Sequence, residues 1–214
     1  MNRDLGDERR EYDRSKMDRS SLPENPMELF SQWLHQALQS DTIDPSAMTL
    51  STVDSKGQPS SRIVLLKKIE EGSLVFYTHY DSEKSRDIKA NNRLAAHFYW
   101  PELERQVRIT GTATPLSEED SDLYFKSRPL ESKIAAWASP QSEEIPNRES
   151  LEKAFEKYSR EFSDPDDIPR PAFWGGYAIN PSRIEFWQGG RKRLHDRIAY
   201  LKSGDSWTTR RLAP

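Results

Sequence analysis

Arg193-Leu-His-Asp-Arg197 carries three basic side chains at alternate positions and is the strongest local candidate for chemistry in the sequence. On a strand, alternation puts Arg193, His195 and Arg197 on one face, with Leu194 and Asp196 turned away. At roughly 3.3 Å per residue the three span about 13 Å, a length that a fused ring system could fill. Cations grouped in this way repel one another unless an anionic or electron-rich ligand lies across them. A solvated, salt-bridged edge strand has the same spacing. Glu185-Phe-Trp-Gln-Gly-Gly190 comes just before, and its two aromatics and Gly-Gly turn favour the ligand wall.

Tyr124, Arg128 and Ser132 form a second group. Tyr124 and Arg128 are four residues apart and so share a helical face. Pro129 breaks that helix, and Ser132 falls at the start of the next, where unpaired N–H groups favour anions. A phenol, a guanidinium and a hydroxyl placed so could clamp a phosphate, although such a trio also occurs as surface decoration. In Arg62-Ile-Val-Leu-Leu-Lys67 a cation stands at each end of an apolar run. Five residues apart, the two are expected on opposite faces of a strand, marking where it meets water or serving two different phosphates. Lys84 adds a cation in the first turn of a short helix capped by Ser82.

Other chemistries have no motif here. There is no G-x-x-x-x-G-K-[ST], G-x-G-x-x-G or G-x-S-x-G. The four histidines, His35, His79, His97 and His195, are far apart and there are no cysteines, so neither a metal site nor thiol chemistry is expected.

The elements that must position these residues follow from periodicity. Asn25-Pro26 is a cap and first-turn proline, and Leu29, Phe30, Trp33, Leu34, Ala37 and Leu38 recur at helical spacing up to Asp41. Strands are expected at Ala47–Val53, Arg62–Lys67 (buried on both faces), Leu74–Thr78, Leu94–Trp100 and Gln106–Thr114, with Asp54 to Gly57 a turn. Helices follow at Glu118–Ser127, Glu131–Ala138 and Arg148–Phe162, then an Asp- and Pro-rich loop to Pro171. Strands return at Gly176–Ile179, Arg183–Gln188, Arg193–Leu201 and Trp207–Leu212. Short turns between strands point to an antiparallel barrel with helices outside it, mainly β in an α+β pattern. Residues 22–214 are read as a single domain. Residues 1–21 are read as a flexible arm, since 12 of the 18 residues from Asn2 to Arg19 are charged.

Charge is nearly balanced, with 32 Lys+Arg against 35 Asp+Glu, which argues against nucleic acid as a partner. No long apolar run suggests a membrane span and the amino terminus is too charged for a signal peptide, so a cytoplasmic protein is expected. Apolar residues are only 34% of the chain, a thin supply for one core, as if a wet cavity or a second subunit completed it.

Taken together, nearly the whole chain resembles the pyridoxamine 5′-phosphate oxidase family. The blocks that carry the resemblance are Arg9-Arg-Glu-Tyr12, Arg62-Ile-Val-Leu-Leu-Lys67, Phe76-Tyr-Thr78, Glu104-Arg-Gln-Val107, Ser127-Arg-Pro129 and Ala138-Ser-Pro-Gln-Ser142. They continue with Phe173-Trp-Gly-Gly176, Ile184-Glu-Phe-Trp-Gln-Gly-Gly190, Arg193-Leu-His-Asp-Arg197 and Arg210-Arg-Leu-Ala-Pro214. The resemblance implies an FMN-binding split β-barrel and a homodimer with two flavins at its subunit interface. It implies oxidation of pyridoxamine or pyridoxine 5′-phosphate to pyridoxal 5′-phosphate, with O2 reduced to hydrogen peroxide. FMN contacts are implied from Arg62, Ile63, Val64, Leu65 and Leu66, from Tyr77, Thr78, Lys84 and Gln106, and from Gln141, Ser142, Trp187 and Arg197. The substrate phosphate is implied at Lys67, Tyr124, Arg128 and Ser132, and the pyridine end at Arg193 and His195. Arg9, Arg10, Glu11 and Tyr12 are implied as a mobile lid over the substrate. Arg193 is the candidate for aligning substrate, and Asp44 for accepting a proton. Glu83 departs from the family pattern, where a basic residue usually precedes the lysine, and puts that FMN-phosphate contact in doubt.

Overall fold

Asn25 and Pro26 start the first helix by local chemistry alone. In the computed structural model, which describes residues 11–12, 17, 22–162, 164 and 167–214, Asn25 Oδ1 accepts the Met27 N–H at 3.0 Å. Pro26 opens α1 (Pro26–Leu38), where a missing N–H costs nothing, and Leu29, Phe30, Trp33 and Ala37 form its buried stripe. After β1 (Ala47–Val53), Asp54 Oδ1 accepts the N–H groups of Lys56 and Gln58, both at 2.8 Å. Gly57 supplies the φ of +85° that turns the chain into β2 (Pro59–Leu65).

The remaining elements are β3 (Lys68–Glu70), β4 (Ser73–His79), α2 (Glu83–Ala90), β5 (Arg93–Trp100) and β6 (Arg105–Pro115). Then come α3 (Glu118–Lys126), α4 (Leu130–Ala138), α5 (Arg148–Glu161), β7 (Trp174–Gln188), β8 (Asp196–Ser203) and β9 (Ser206–Leu212). Among the described residues the strands are hydrogen-bonded in the order β2-β1-β5-β6-β7-β4-β3, with β8 on β7 and β9 on β8. The pairs β3–β4, β4–β7, β7–β8 and β8–β9 are antiparallel, in keeping with the expected α+β class.

Three expectations need correction. The strands expected at 176–179 and 183–188 are one strand, β7, which runs through Pro181. Pairing with β4 ends at Ile179 and pairing with β8 begins at Arg183, so the proline's missing N–H falls where β7 changes partner. β2 is not buried on both faces: it ends the strand order and alternates exposed with half-buried, leaving Ile63 at 63% and Leu65 at 39% exposure. β8 begins at Asp196 rather than Arg193, because Arg191–Arg193 form a 3₁₀ turn in which Lys192 and Arg193 take φ of +56° and +63°. Arg193, His195 and Arg197 therefore do not share one strand face.

The described residues cluster into two compact units, one within Met1–Thr49, Ala96–Thr110 and Pro181–Pro214, the other within Leu50–Ala95 and Gly111–Asn180. In the first, Phe30 meets Phe98 edge-on at 5.1 Å and Trp33 meets Phe186 at 5.2 Å. Its buried polar edges are paired: Trp100 Nε1–H donates to Pro45 O and the Tyr200 hydroxyl to Pro23 O, both at 2.9 Å. In the second, Phe76 stacks on Tyr177 in the sheet. A separate cluster of Phe125, Ile134, Ala136, Ile168 and Trp174 packs α3 and α4 beside the start of β7, with Phe155 and Tyr158 of α5 half-buried against it.

Candidate active site

A cavity of about 1080 Å³ opens in the second unit, larger than most single-ligand pockets. Arg62 reaches it from β2 and is held by oxygens of its own sheet. Its Nη1 donates to Thr52 Oγ1 at 2.6 Å and to the carbonyls of Ser60 and Leu50, and its Nη2 to Ser60 Oγ at 2.6 Å. Thr52 in turn donates to the buried Asp87 of α2 at 2.6 Å, and Asp87 stands 3.9 Å from Arg62 Nη2, so α2 fixes the guanidinium both through a hydroxyl and by its charge. Glu83 also lines the cavity, 3.9 Å from Arg62 Nη2.

Lys84 is buried at the same end. Its Nζ donates to Thr78 Oγ1 at 3.1 Å, Ser82 Oγ at 3.0 Å and Gln141 Oε1 at 2.9 Å. All three acceptors are neutral, and burial, with the charge of Arg62 added, pulls its pKa down to about 8. Ser82 is the N-cap by position only: its hydroxyl donates to His79 O and accepts from Lys84, so it serves the ammonium and leaves the helix amides uncapped.

A second set comes from α3, α4 and the chain after β2. Tyr124, Arg128 and Ser132 line the same cavity, as does Lys67. Lys67 and Arg62 were expected on opposite faces, but β2 ends at Leu65, so alternation does not extend to Lys67. Arg128 Cζ lies over the Trp174 ring, 4.4 Å from its centroid, and its Nη1 is buried without a hydrogen-bond partner among the described residues. An unpaired guanidinium nitrogen in such a place is costly unless a ligand supplies the acceptor. Tyr77 and Tyr124 stack at 3.7 Å. Burial pushes Tyr77 up to about 12 and raises Tyr124 as well, the latter opposed by Arg128, so both phenols stay protonated donors.

Of the implied FMN contacts, Arg62, Ile63, Val64, Leu65, Tyr77, Thr78, Lys84, Gln141 and Ser142 line this cavity, while Leu66 is buried and does not line it. Gln106, Trp187 and Arg197 belong to the other unit, with Asp44, Arg193 and His195. There Gln106 Oε1 meets His97 Nε2 at 3.1 Å, and Arg197 donates to the buried Glu185 at 2.7 and 3.0 Å. His195 Nδ1 accepts the Gly190 N–H at 3.1 Å, which leaves the proton of the neutral ring on Nε2, and burial beside Arg193 lowers its pKa. Its ring packs 4.7 Å from Trp187, and Tyr12 stands edge-on to both. Arg193 and Asp44 are exposed. Arg9 and Arg10 lie outside the described residues.

Sequence reading missed Thr52, Ser60 and Asp87, which hold Arg62, and Glu185, which holds Arg197. Hydroxyls and single carboxylates inside strands and helices have no spacing of their own, and only the folded pairing reveals them. Trp174, the platform under Arg128, gave a signal only as part of the Phe173-Trp-Gly-Gly176 block.

The sequence profile of a family described as pyridoxamine 5′-phosphate oxidase matches residues 34–160. A second, described as the pyridoxine 5′-phosphate oxidase C-terminal dimerisation region, matches residues 174–214. The chain is 50% identical over 215 residues to a pyridoxine/pyridoxamine 5′-phosphate oxidase of Cytophaga hutchinsonii, covering 100% of both chains. Among solved structures it is similar to PhzG from Burkholderia lata 383, solved with tetrahydrophenazine-1-carboxylic acid, at 31% identity and a TM-score of 0.86, over 91% of this chain and 95% of that one. A pyridoxamine 5′-phosphate oxidase-related, FMN binding protein from Nostoc punctiforme shares the fold at 18% identity and a TM-score of 0.70, over 87% and 96% of the two chains. The fold is thus the split barrel expected from the sequence.

Proposed function

Because the chain belongs to the pyridoxine/pyridoxamine 5′-phosphate oxidase family, we propose that it oxidises pyridoxamine or pyridoxine 5′-phosphate to pyridoxal 5′-phosphate with FMN and O2. Arg128 carries this reading: a buried guanidinium nitrogen without a hydrogen-bond partner among the described residues, on the wall that also bears Lys67, Tyr124 and Ser132. Together they offer a phosphate two cations and two hydroxyls, at the first turn of α4, where backbone N–H groups are free. The other end of the cavity suits the FMN phosphate. Lys84 and Arg62 present positive charge there, Lys84 against neutral oxygens alone, and Ile63, Val64 and Leu65 offer an apolar wall for a ring system.

FMN held there would supply the redox chemistry, a two-electron oxidation at C4′ coupled to reduction of O2 to hydrogen peroxide, the second proton of the peroxide coming from the substrate's hydroxyl or amine. The protein's part is to orient C4′ by the phosphate and hold charge near it. The alcohol gives the aldehyde directly, with peroxide as the other product; the amine also consumes one water and releases ammonia. Arg193 and His195 are assigned to the pyridine end and Asp44 to proton acceptance. Trp187, Gln106 and Arg197 are assigned to the flavin, as are Leu66 and Ser142. Arg9 to Tyr12 would cover the substrate. We assign the active form to a cytoplasmic homodimer with two flavins at the interface, in line with the match of residues 174–214 to a dimerisation region.

The test is a kinetic cycle of wild type and Arg128→Ala with pyridoxamine and its 5′-phosphate, read by peroxide release. Wild type should use the unphosphorylated amine at least about a thousandfold less efficiently, a loss of roughly 4 kcal/mol. Arg128→Ala should cost the phosphorylated substrate far more than the unphosphorylated one. Equal losses on both would mean that Arg128 serves the fold or the flavin and no phosphate.

A further inference from the structure

Tyr77 of β4 pairs across the sheet with Gly176 of β7. A Cβ at Gly176 would meet Tyr77 Cε1 at 2.8 Å and Leu116 Cδ1 at 2.5 Å, so the bare glycine is what lets the tyrosine ring come down on the strand. From there the ring stacks at 3.7 Å on Tyr124 and at 5.5 Å on Trp174, within 10° and 8° of parallel. Phe125 of α3 meets Trp174 edge-on at 5.2 Å. The main chain of Trp174 is held as firmly. Its N–H donates to Pro171 O at 3.0 Å, and Arg170 Nη1 donates to its carbonyl at 2.6 Å. An indole fixed on so many sides has little freedom to turn.

On this indole rests Arg128, its Cζ 4.4 Å from the ring centroid, with the Phe125 ring further off at 5.6 Å. The contrast with Arg170 is one of charge. Arg170 is neutralised by Asp122, 2.6 Å from its Nε. Arg128 forms no ion pair among the described residues: burial lowers its pKa, and the Tyr124 phenol is the one group that works against this. Buried cations are ordinarily paired with carboxylates. The face of an indole attracts a cation through its quadrupole while carrying no net charge. Arg128 is therefore held in place and still carries its whole charge, with Nη1 open to an acceptor.

We propose that Trp174 is a positioning residue for anion capture: it seats the Arg128 guanidinium where a carboxylate would have neutralised it. An acidic partner would hold the side chain as well, but it would repel an incoming phosphate and lose its salt bridge each time a ligand bound. The indole does neither. Trp174 and Arg128 both line the cavity, with Lys67 and Ser132. This deepens the oxidase reading by naming what keeps the clamp open to phosphate before substrate arrives, and its bearing on substrate rests on that reading. The seat itself does not.

The experiment crosses Trp174 variants with Arg128→Ala in a double-mutant cycle on the full-length, FMN-supplemented protein. Trp174→Phe keeps a smaller ring face, and Trp174→Leu keeps only apolar bulk. One measurement needs no ligand in the clamp: the midpoint of urea unfolding. Trp174→Leu should lower it about twice as far with Arg128 present as in Arg128→Ala, with Trp174→Phe in between. The other is calorimetric binding of 4-deoxypyridoxine 5′-phosphate against 4-deoxypyridoxine, which carry no oxygen or nitrogen on C4′ to oxidise. Trp174→Leu should weaken the phosphorylated analogue about thirtyfold and the other less than about threefold, and Trp174→Phe should recover most of the difference. Without Arg128, neither Trp174 variant should alter binding of the phosphorylated analogue more than about twofold. Equal midpoint losses with and without Arg128 would overturn the proposal. So would a Trp174→Leu protein that binds both analogues more weakly by the same factor. If Trp174→Leu does not fold, Trp174→Phe closes both cycles with smaller differences of the same sign. Were wild type to bind the two analogues alike while the midpoint cycle held, the seat would stand and the B6 phosphate reading would fall.

Discussion

At the scale of single residues, Lys84 is the group whose chemistry the fold changes most. Burial among neutral oxygens, with Arg62 nearby, pulls its pKa down to about 8 from the ordinary lysine value of 10.5. In the ligand-free protein this depression means that between those two values the unfolded chain binds more protons than the folded one. Stability from this group therefore rises with pH across that window. Anion binding runs the other way, because a phosphate dianion needs the protonated ammonium. FMN affinity should be level below about pH 8 and then fall, by up to about tenfold per pH unit, until the phosphate has raised the pKa as far as it can. Riboflavin has the same ring and no phosphate, so its affinity should lack this fall. Quenching of flavin fluorescence from pH 7 to 9.5 measures both, and parallel curves would remove Lys84 from the phosphate site. Such residues were legible as types: Lys84, Arg128 and Ser132 stand at helix ends, where cations and hydroxyls mean something. That Arg128 Nη1 has no hydrogen-bond partner among the described residues was not legible, since satisfaction depends on what every other element brings near.

At the scale of elements, α2 is the part that converts sequence position into site geometry. Glu83, Lys84 and Asp87 lie within its first five residues, and Asp87 is buried against hydroxyls of β1 and β2, 3.9 Å from Arg62 Nη2. There it accepts from Thr52 and Ser60, whose oxygens in turn accept from Arg62. Asp87→Ala would take the 2.6 Å acceptor from buried Thr52, leaving it only the Ser60 hydroxyl at 3.4 Å, and let Arg62 relax towards Glu83. We expect a loss of about 1–3 kcal/mol in urea unfolding, together with weaker FMN binding, while Asp87→Asn should keep part of both. A variant of full stability with flavin affinity unchanged would show that Arg62 is held by its strand alone. The elements read well where their signals are local, as with Asn25-Pro26 or the Asp54–Gly57 turn. They read poorly where a neighbour decides. Alternation of Arg193, His195 and Arg197 looked like a strand face, but Lys192 and Arg193 adopt left-handed backbone, which neither residue type announces. Residues 176–179 and 183–188 read as two strands because nothing in the sequence says that β7 changes partners between them.

At the scale of the whole molecule, the thin apolar supply and the exposed apolar residues of β2 belong together. A four-residue run of Ile63, Val64, Leu65 and Leu66 read as a strand buried on both faces, and within one chain it is not: Ile63 is 63% and Leu65 39% exposed, at the end of the strand order. The run is what a strand needs if something outside the chain covers it, and three of its residues line the cavity assigned to FMN. If a second copy and the flavin share that work, flavin binding and dimerisation must be linked, because each buries what the other leaves in water. Sedimentation of flavin-stripped protein should give a dimer that dissociates on dilution, and FMN should shift the midpoint to lower protein concentration. Reciprocally, the apparent FMN affinity should weaken as the protein is diluted through that midpoint. FMN at about a hundred times its Kd should stabilise the fold by about 2.7 kcal/mol, raising Tm by roughly 5–10 °C for a chain of this length. The outcome that would separate the two events is a dimer whose dissociation is the same with and without FMN. The flavin would then sit within one chain, and Ile63 and Leu65 would be covered by the dimer alone or left in water.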